Sequence, residues 1–265
     1  MKSTSSIRPW RLAALALALA VIVANPLINF FCQNHFVQGW YQSIAVGELW
    51  FVSPLEGLES ILVAKAVYAP AFIGMIAPLT LAFLLGRVFC SWICPLTLLL
   101  EIVDWLRRRL GGKKRPSAHS EIVPRWTLWL VLPAELLISM VLGAPLFVIF
   151  SPPGLIGREL MMLVFFRALA MEGLLLLALI ALELFSRRLF CRCLCPLGAL
   201  LALTGGKRRL RVQLQADACV DCGRCAKTCP LGLRPQTDQA ASIYCWNCGD
   251  CVDCCPSQAL RFRWR

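Results

Sequence analysis

Long, almost uncharged apolar runs dominate the first 190 residues of the chain. Inside a lipid bilayer every backbone amide must be hydrogen-bonded within the protein, so a crossing segment forms a helix of about 20 apolar residues. Four runs of 18 to 25 residues meet this condition, namely Leu12–Phe31, Ala66–Gly86, Trp126–Phe150 and Ala168–Phe185. The pattern therefore predicts four transmembrane helices.

Composition agrees with a membrane protein and excludes an ordinary soluble enzyme or a disordered chain. Of the 265 residues, 58% are apolar and 16% charged, whereas soluble domains are about 45–50% apolar. The net charge of +12 comes from basic residues before the first run, between the second and third, as at 107–109 and 113–115, and after the fourth. This asymmetry predicts that both termini are cytoplasmic. It explains the charge without nucleic acid.

The first apolar run has a second interpretation. Arg8 and Arg11 could be the basic flank of a secretory signal peptide. Asn25-Pro26 interrupts the region where a small-residue cleavage site would lie, which favours an uncleaved helix.

A motif occurs twice, 101 residues apart. The segment RVFCSWICPL at 87–96 matches RLFCRCLCPL at 188–197, and each copy follows an apolar run. Each run is in turn preceded by a Ser-Pro pair, Ser53-Pro54 or Ser151-Pro152. The simplest explanation is a duplicated two-helix unit with related surfaces at the repeat interface.

The repeated motif carries two pairs of cysteines four residues apart, Cys90/Cys94 and Cys191/Cys195. This spacing places both thiols on one face if the helix continues, but the proline after each pair can equally open a new helix. Four thiols facing each other across the repeat interface would suit a metal, a cluster or a redox-active dithiol. The alternative is that they are small buried residues at a helix end.

The C-terminal part contains the pattern C-x2-C-x2-C-x3-C-P twice, at 219–230 and 245–256. In this arrangement three cysteines hold one [4Fe–4S] cluster and the fourth crosses to the other cluster. The predicted ligands are Cys219, Cys222, Cys225 and Cys255 for one cluster, and Cys245, Cys248, Cys251 and Cys229 for the other. Cys254 and Cys193 are left as extra thiols. Paired zinc sites or disulfides, which the reducing cytoplasm disfavours, are the alternatives.

These patterns divide the chain into two predicted domains. Residues 1–205 form an all-α, four-helix transmembrane domain. Residues 206–265 form a small α+β domain like a bacterial 2[4Fe–4S] ferredoxin. Its flanking segments, 210–215 and 260–264, alternate apolar and polar positions, as two paired strands would.

The combination of apolar runs, duplicated Cys-x3-Cys-Pro motif and terminal double-cluster pattern resembles the NapH/MauN family of membrane-bound ferredoxin-type proteins, over nearly the whole chain. The resemblance implies a multi-pass protein of the bacterial inner membrane. It also implies quinol oxidation, with electrons passing through iron–sulfur centres toward a periplasmic reductase or dehydrogenase system. The implied partners are the quinone pool, a periplasmic ferredoxin and a membrane-anchored multihaem cytochrome c.

Oxidation of a quinol also requires proton acceptors, and carboxylates inside a membrane are costly and often functional. Glu135 and Glu183 are the candidates; a neutral, hydrogen-bonded or arginine-paired carboxyl is the alternative for Glu135. Two other functions stay open. One is a membrane redox factor for cofactor maturation or metal reduction, and the other is a transmembrane redox regulator.

Overall fold

The computed structural model of the protein describes most of the chain, namely residues 6–32, 37–40, 43–46, 49–110, 123–168 and 171–264. The basic residues at position 2 and at 113–115, which contribute to the predicted orientation, lie outside the described residues.

The chain begins with helix α1 (Ile7–Cys32). Three short strands follow, β1 (Val37–Trp40), β2 (Ser43–Val46) and β3 (Leu49–Val52), which pair antiparallel in the order β1-β2-β3. The sequence pattern does not predict this sheet, because its strands are only four residues long and lie between apolar runs.

The two repeats fold into similar series of helices. The first contains α2 (Pro54–Ala64), α3 (Ala69–Leu85), α4 (Val88–Trp92) and α5 (Pro95–Arg109). Two helices, α6 (Thr127–Leu142) and α7 (Leu146–Phe150), lead to the second repeat. The second contains α8 (Pro152–Met161), a π-helical turn (Met162–Phe166), α9 (Glu172–Phe185), a π-helical turn (Phe190–Leu194) and α10 (Pro196–Thr204).

Proline sets the start of corresponding helices in the two repeats. Pro54 and Pro152 open α2 and α8, each after a serine, while Pro95 and Pro196 open α5 and α10, each after a cysteine. Proline suits the first turn because its missing N–H has no helical partner there. Of the two alternatives for the Cys-x3-Cys-Pro motif, a new helix at the proline is therefore the observed one.

All four apolar runs form helices; the helix of the first run is longer than predicted, and those of the other three are shorter. In the described part of the chain, one helix, α1 over Ile7–Ala24, is long and apolar enough to cross a membrane by length and composition, a test that signal sequences and core helices also pass. The apolar helices α3 and α6 have 17 and 16 residues, and α9 has 14. The prediction of one continuous helix over 126–150 is wrong, because Gly143 adopts a left-handed conformation (φ 66°) that ends α6.

The C-terminal segment folds around two short helices, α11 (Arg224–Thr228) and α12 (Asp250–Asp253), and two strands, β4 (Leu210–Leu214) and β5 (Leu260–Trp264). The strands pair antiparallel, with Leu210 opposite Trp264 and Leu214 opposite Leu260. The predicted strand pair is thus confirmed. We refer to residues 206–265 as the terminal module.

The terminal module is hydrogen-bonded to the start of α1 and to the end of α3. Asp253 accepts hydrogen bonds from the Ser6 hydroxyl and from the backbone N–H groups of Ile7 and Arg8, so it caps the first turn of α1. At the end of α3, the Leu85 carbonyl accepts a hydrogen bond of 2.8 Å from Asn247 Nδ2. The start of α1 and the end of α3 therefore lie on the same side of the protein, against the module.

Candidate functional site

Four cysteines of the terminal module line a small cavity next to the surface, which we call the outer site. They are Cys219, Cys222, Cys225 and Cys255. Gly223, in the left-handed conformation, turns the chain between the second and third of them and starts α11. Cys222 is exposed to solvent, whereas Cys225 is buried. The structure therefore brings together the set predicted for one cluster, with one edge open to solvent.

The other four cysteines of the terminal module line a second small cavity, the inner site. They are Cys229, Cys245, Cys248 and Cys251, and all four are buried. Cys229 follows α11, which begins beside Cys225, and Cys255 follows α12, which contains Cys251. The fourth cysteine of each run thus lies in the site of the other run, and the two sites are neighbours.

The thiols of the inner site are held in an environment that opposes their ionisation. Burial raises the pKa of Cys229 to about 11 and also raises the pKa of Cys245. Cluster binding requires thiolates, so such a site needs the positive charge of bound iron to become stable. The chemistry of this donor set fits an iron–sulfur cluster.

The two extra cysteines lie outside these cavities. Cys254 Sγ contacts the Cys251 carbonyl at 3.6 Å, and Cys193 Sγ contacts the Val123 carbonyl at 3.5 Å. Both are unmatched in the sequence patterns, and they provide natural controls for the ligand cysteines.

The four cysteines of the duplicated motif line a third cavity, which we call the repeat site. They are Cys90, Cys94, Cys191 and Cys195. Cys94 and Cys195 stand just before the prolines of α5 and α10, and Cys195 Sγ accepts a hydrogen bond of 3.3 Å from Gly198 N. Burial raises the pKa of Cys195 to about 12, and the neighbouring Cys90 adds to the shift. Two thiols from each repeat therefore meet at one buried point.

Each of the two arginines that begin the motifs donates a hydrogen bond to the other repeat. Arg87 of the first repeat donates to the Cys191 carbonyl of the second at 3.1 Å. Arg188 of the second repeat donates to the Thr97 carbonyl of the first at 3.4 Å. Both side chains are almost fully buried. In the sequence these arginines stand out only as part of the motif, and their recurrence in both copies is the signal for a structural role.

The repeat site and the inner site are joined by direct hydrogen bonds. Arg87 also donates to the Tyr244 carbonyl at 3.4 Å, and Ser91, beside Cys90, donates to the Trp246 carbonyl at 2.7 Å. Trp92 Nε1 donates to the Asn247 carbonyl at 3.3 Å. Cysteines of both sites belong to one continuous buried core. The first repeat motif therefore packs against the loop that contains Cys245 of the inner site.

A buried ion network lies beside the inner site. Arg11 of α1 pairs with Asp250 at 3.1 Å and with Glu101 of α5 at 3.3 Å. Arg188 pairs with the same oxygen of Glu101 at 3.3 Å. All four side chains are at most 9% exposed. The network ties α1, both repeats and the terminal module into one unit.

The two carboxylates predicted as proton acceptors lie in different surroundings. Glu183 is buried and forms an ion pair with the Arg188 side chain. Its carboxylate also accepts a hydrogen bond from the backbone N–H of Arg188. Glu135 lies in α6 with both carboxyl oxygens buried, and it interacts with Glu59 of α2. Glu59 is fully buried and accepts hydrogen bonds from Ser139 Oγ and from Phe147 N. No local sequence pattern points to Glu59, because its partners come from helices distant in the chain.

In the described ranges, no group of three or more His, Cys, Asp or Glu side chains has the spacing for a single metal ion. The three sites are instead four-cysteine cavities.

Comparison with known proteins identifies the repeats. A family model described as a 4Fe-4S binding domain matches the chain twice, at residues 69–114 and 169–214. Each match contains one copy of the duplicated motif. The duplication inferred from the sequence is thus found independently.

Relatives extend over most of the chain. MauN, a methylamine utilization ferredoxin-type protein of Paracoccus denitrificans, is 33% identical over 217 residues, which cover 80% of this chain and 72% of MauN. The ferredoxin-type protein NapH of Escherichia coli is 28% identical over 79% of this chain and 74% of NapH. YccM of E. coli is 30% identical over 72% of this chain, but the match spans only 55% of YccM. No solved structure matches the chain. On this similarity and the four-cysteine sites, the chain belongs to the ferredoxin-type iron–sulfur electron-transport proteins, the family of MauN and NapH.

Proposed function

We propose that this protein is a membrane-bound carrier that takes electrons from a lipid-soluble quinol and passes them one at a time through three [4Fe–4S] sites to a redox partner. The observation that carries this proposal is the succession of the repeat site, the inner site and the outer site. Each has four cysteines, and each contacts the next.

The order of the sites gives the route. In the repeat site, Cys90 and Cys191 are buried in the helical part. All four cysteines of the inner site are buried in the terminal module, and Cys222 of the outer site is exposed to solvent. When bound, such clusters exchange single electrons with little structural change, at potentials tuned by burial and by hydrogen bonds to sulfur. The exposed edge of the outer site is the position where a soluble partner would dock.

The membrane location is supported by the surfaces of the apolar helices. Exposed large apolar side chains cover α1, α3, α6 and α9, among them Trp10, Leu17, Phe72, Ile73, Leu130, Leu137, Leu174 and Leu177. Patches of this extent indicate contact with lipid or protein. The basic segments that flank the predicted spans further favour a multi-pass protein of a bacterial inner membrane, with both termini cytoplasmic. The bonds between Asp253 and the start of α1 agree with termini on one side.

The electron source and the partners are proposed from the family resemblance. They are the quinone pool, a periplasmic ferredoxin and a membrane-anchored multihaem cytochrome c. In this scheme the periplasmic partners, and the reductase or dehydrogenase system that they serve, lie across the membrane from the outer site. They therefore exchange electrons at the quinol end of the route, and the outer site serves a cytoplasmic partner.

The proposal is tested by iron analysis of protein purified without oxygen. Three [4Fe–4S] sites require about twelve irons per chain, eight of them in the terminal module. Cys191→Ser should lose about four irons and quinol-driven reduction, while the signals of the module clusters persist. The matched control is Cys193→Ser, two residues away in the same π-helical turn, which should keep all twelve. Equal iron content in the two variants would contradict a cluster in the repeat site.

A second measurement addresses the electron source. Quinol added to the holoprotein in membranes should reduce the module clusters, as followed by low-temperature electron paramagnetic resonance. If dithionite reduces the clusters but no quinol does, the quinol assignment is wrong while the cluster assignment stands.

A further inference from the structure

A large apolar cavity lies beside the repeat site. Its volume is about 470 Å³, and its walls include Val52, Ala77, Leu81, Phe89 and Phe147. Sites for small molecules and cofactors usually measure about 300–1,000 Å³ and are mostly apolar with a few polar groups. The cavity therefore has the size and character of a binding site for an apolar organic molecule.

The apolar cavity and the repeat site share a wall. Phe89, Phe147, Pro153 and Leu197 line both. A ring held in the cavity would therefore be separated from the four thiols by one layer of side chains. This position suits a molecule that exchanges electrons with the repeat site.

The route of entry runs over α3. Ala77 and Leu81 line the cavity and are also exposed. Nearby on the same helix, Phe72, Ile73 and Ile76 are at least half exposed. A molecule that reaches the cavity between these side chains must be soluble in an apolar medium, as a lipid-borne carrier is.

One polar side chain in the cavity wall has no partner. Ser53 lines the cavity, and its hydroxyl oxygen is buried without a hydrogen bond among the described residues. Its counterpart in the second repeat, Ser151, uses its hydroxyl to cap α8, accepting from Gly154 N at 3.2 Å. A buried hydroxyl without a partner is costly. The broken symmetry leaves the Ser53 hydroxyl available to a ligand.

Carboxyl groups lie behind the cavity wall. Phe147 lines the cavity, and its backbone N–H donates to Glu59. Glu56 lies one turn earlier on α2, where burial, together with the charge of Glu59, raises its pKa to about 7. A carboxyl group of this kind can accept a proton near neutral pH.

We propose that the apolar cavity is the quinol site, in which the Ser53 hydroxyl hydrogen-bonds a ring oxygen and the carboxyl groups around Glu59 receive the protons. The inference deepens the proposed function and rests on it. The ligand is a substituted hydroquinone with an apolar chain. Its two O–H bonds break, giving the quinone, two protons to the carboxylates, and two electrons that leave singly for two oxidised iron–sulfur clusters.

Two pairs of variants test the site in the purified holoprotein. Ala77→Trp fills the cavity, whereas Ile76→Trp places the same ring on the exposed face of α3. The probe is a short-chain azidobenzoquinone that is crosslinked by light and located by mass spectrometry. We expect wild-type labelling in peptides containing residues 51–54 or 77–82. Labelling should fall at least about tenfold in the first variant, since a bulky ring removes the space that the ligand needs, and stay unchanged in the second.

The second pair of variants removes the hydroxyl group of one or the other of the two corresponding serines. Ser53→Ala should weaken quinone binding about 3- to 10-fold, the equivalent of one hydrogen bond, and leave folding intact. Ser151→Ala should destabilise the protein without changing quinone affinity. Full iron content and reduction by dithionite identify correctly folded variants.

The outcomes separate this inference from the proposed function. If quinol reduces the wild-type clusters but labelling falls elsewhere, or both tryptophan variants behave alike, the site is wrong and the quinol function stands. If the quinone does not label the wild-type protein and the quinol does not reduce its clusters, the proposed function fails and the site with it.

Discussion

Replacing Glu101 by glutamine removes the shared anion of the buried ion network. Its carboxylate oxygen lies 3.3 Å from both Arg11 and Arg188. Breaking a buried ion pair at one partner costs about 3–5 kcal/mol. Arg11 keeps Asp250 at 3.1 Å, and Arg188 keeps Glu183 at 3.9 Å. We therefore expect a loss at the lower end, about 3 kcal/mol of unfolding free energy.

The assay is unfolding of the holoprotein in a mild detergent, followed by the visible absorption of the clusters and by circular dichroism. A loss of 3 kcal/mol corresponds to a Tm lower by about 6–12 °C for a protein of this size. The control is Glu172→Gln, which breaks a partly exposed pair with Arg158 and should cost less than about 1 kcal/mol. If the two variants lose the same stability, the network does not hold the module to the helices.

The stability lost in Glu101→Gln should also depend on pH. Burial alone would raise the pKa of Glu101, but Arg188 and Arg11 outweigh it and lower the pKa below its ordinary value of 4.5. A carboxyl whose pKa is lower in the folded state stabilises the fold above pH 4.5, and this contribution is lost as the pH falls through the folded pKa. The stability difference between wild type and Glu101→Gln should thus be constant at pH 6–7 and shrink toward pH 4. A difference that grows on acidification contradicts the argument.

Three further predictions concern other contacts. Gly198→Ala should cost about 1–3 kcal/mol, measured by thermal unfolding, because a Cβ there would lie 2.6 Å from the Arg87 guanidinium. Cys225→Ser should lose one module cluster in iron analysis, whereas Cys254→Ser keeps both; equal losses would contradict the ligand set. Asp253→Asn should cost about 0.5–2 kcal/mol, because it weakens the cap on α1, and unchanged unfolding would refute this.

Most of the candidate site residues could be predicted from the spacing of the cysteines. In the terminal module the ligand pattern is local, with gaps of two or three residues, so the grouping of eight cysteines into two cavities followed from the sequence. The proline after each fourth cysteine also marked where the chain turns. Whether each cavity holds a cluster stays a prediction for the iron analysis.

The features that could not be predicted from the sequence depend on contacts between distant segments of the chain. The partners of Arg87 are the carbonyls of Cys191 and Tyr244, which no local pattern connects. Glu59 is similar, because its partners lie on α6 and α7. Apolar runs predicted where helices occur but not where they end, since Gly143 divides the third run and single glycines are tolerated within many helices.

The reciprocal placement of the two motif arginines has a consequence for the origin of the fold. Each half of the polypeptide supplies two of the four thiols and one guanidinium, so a single half holds an incomplete centre. An ancestral chain of one unit would have completed it by pairing with itself around a two-fold axis. Fusion of two such genes would then have freed one copy to diverge, as the unequal serines at 53 and 151 already illustrate.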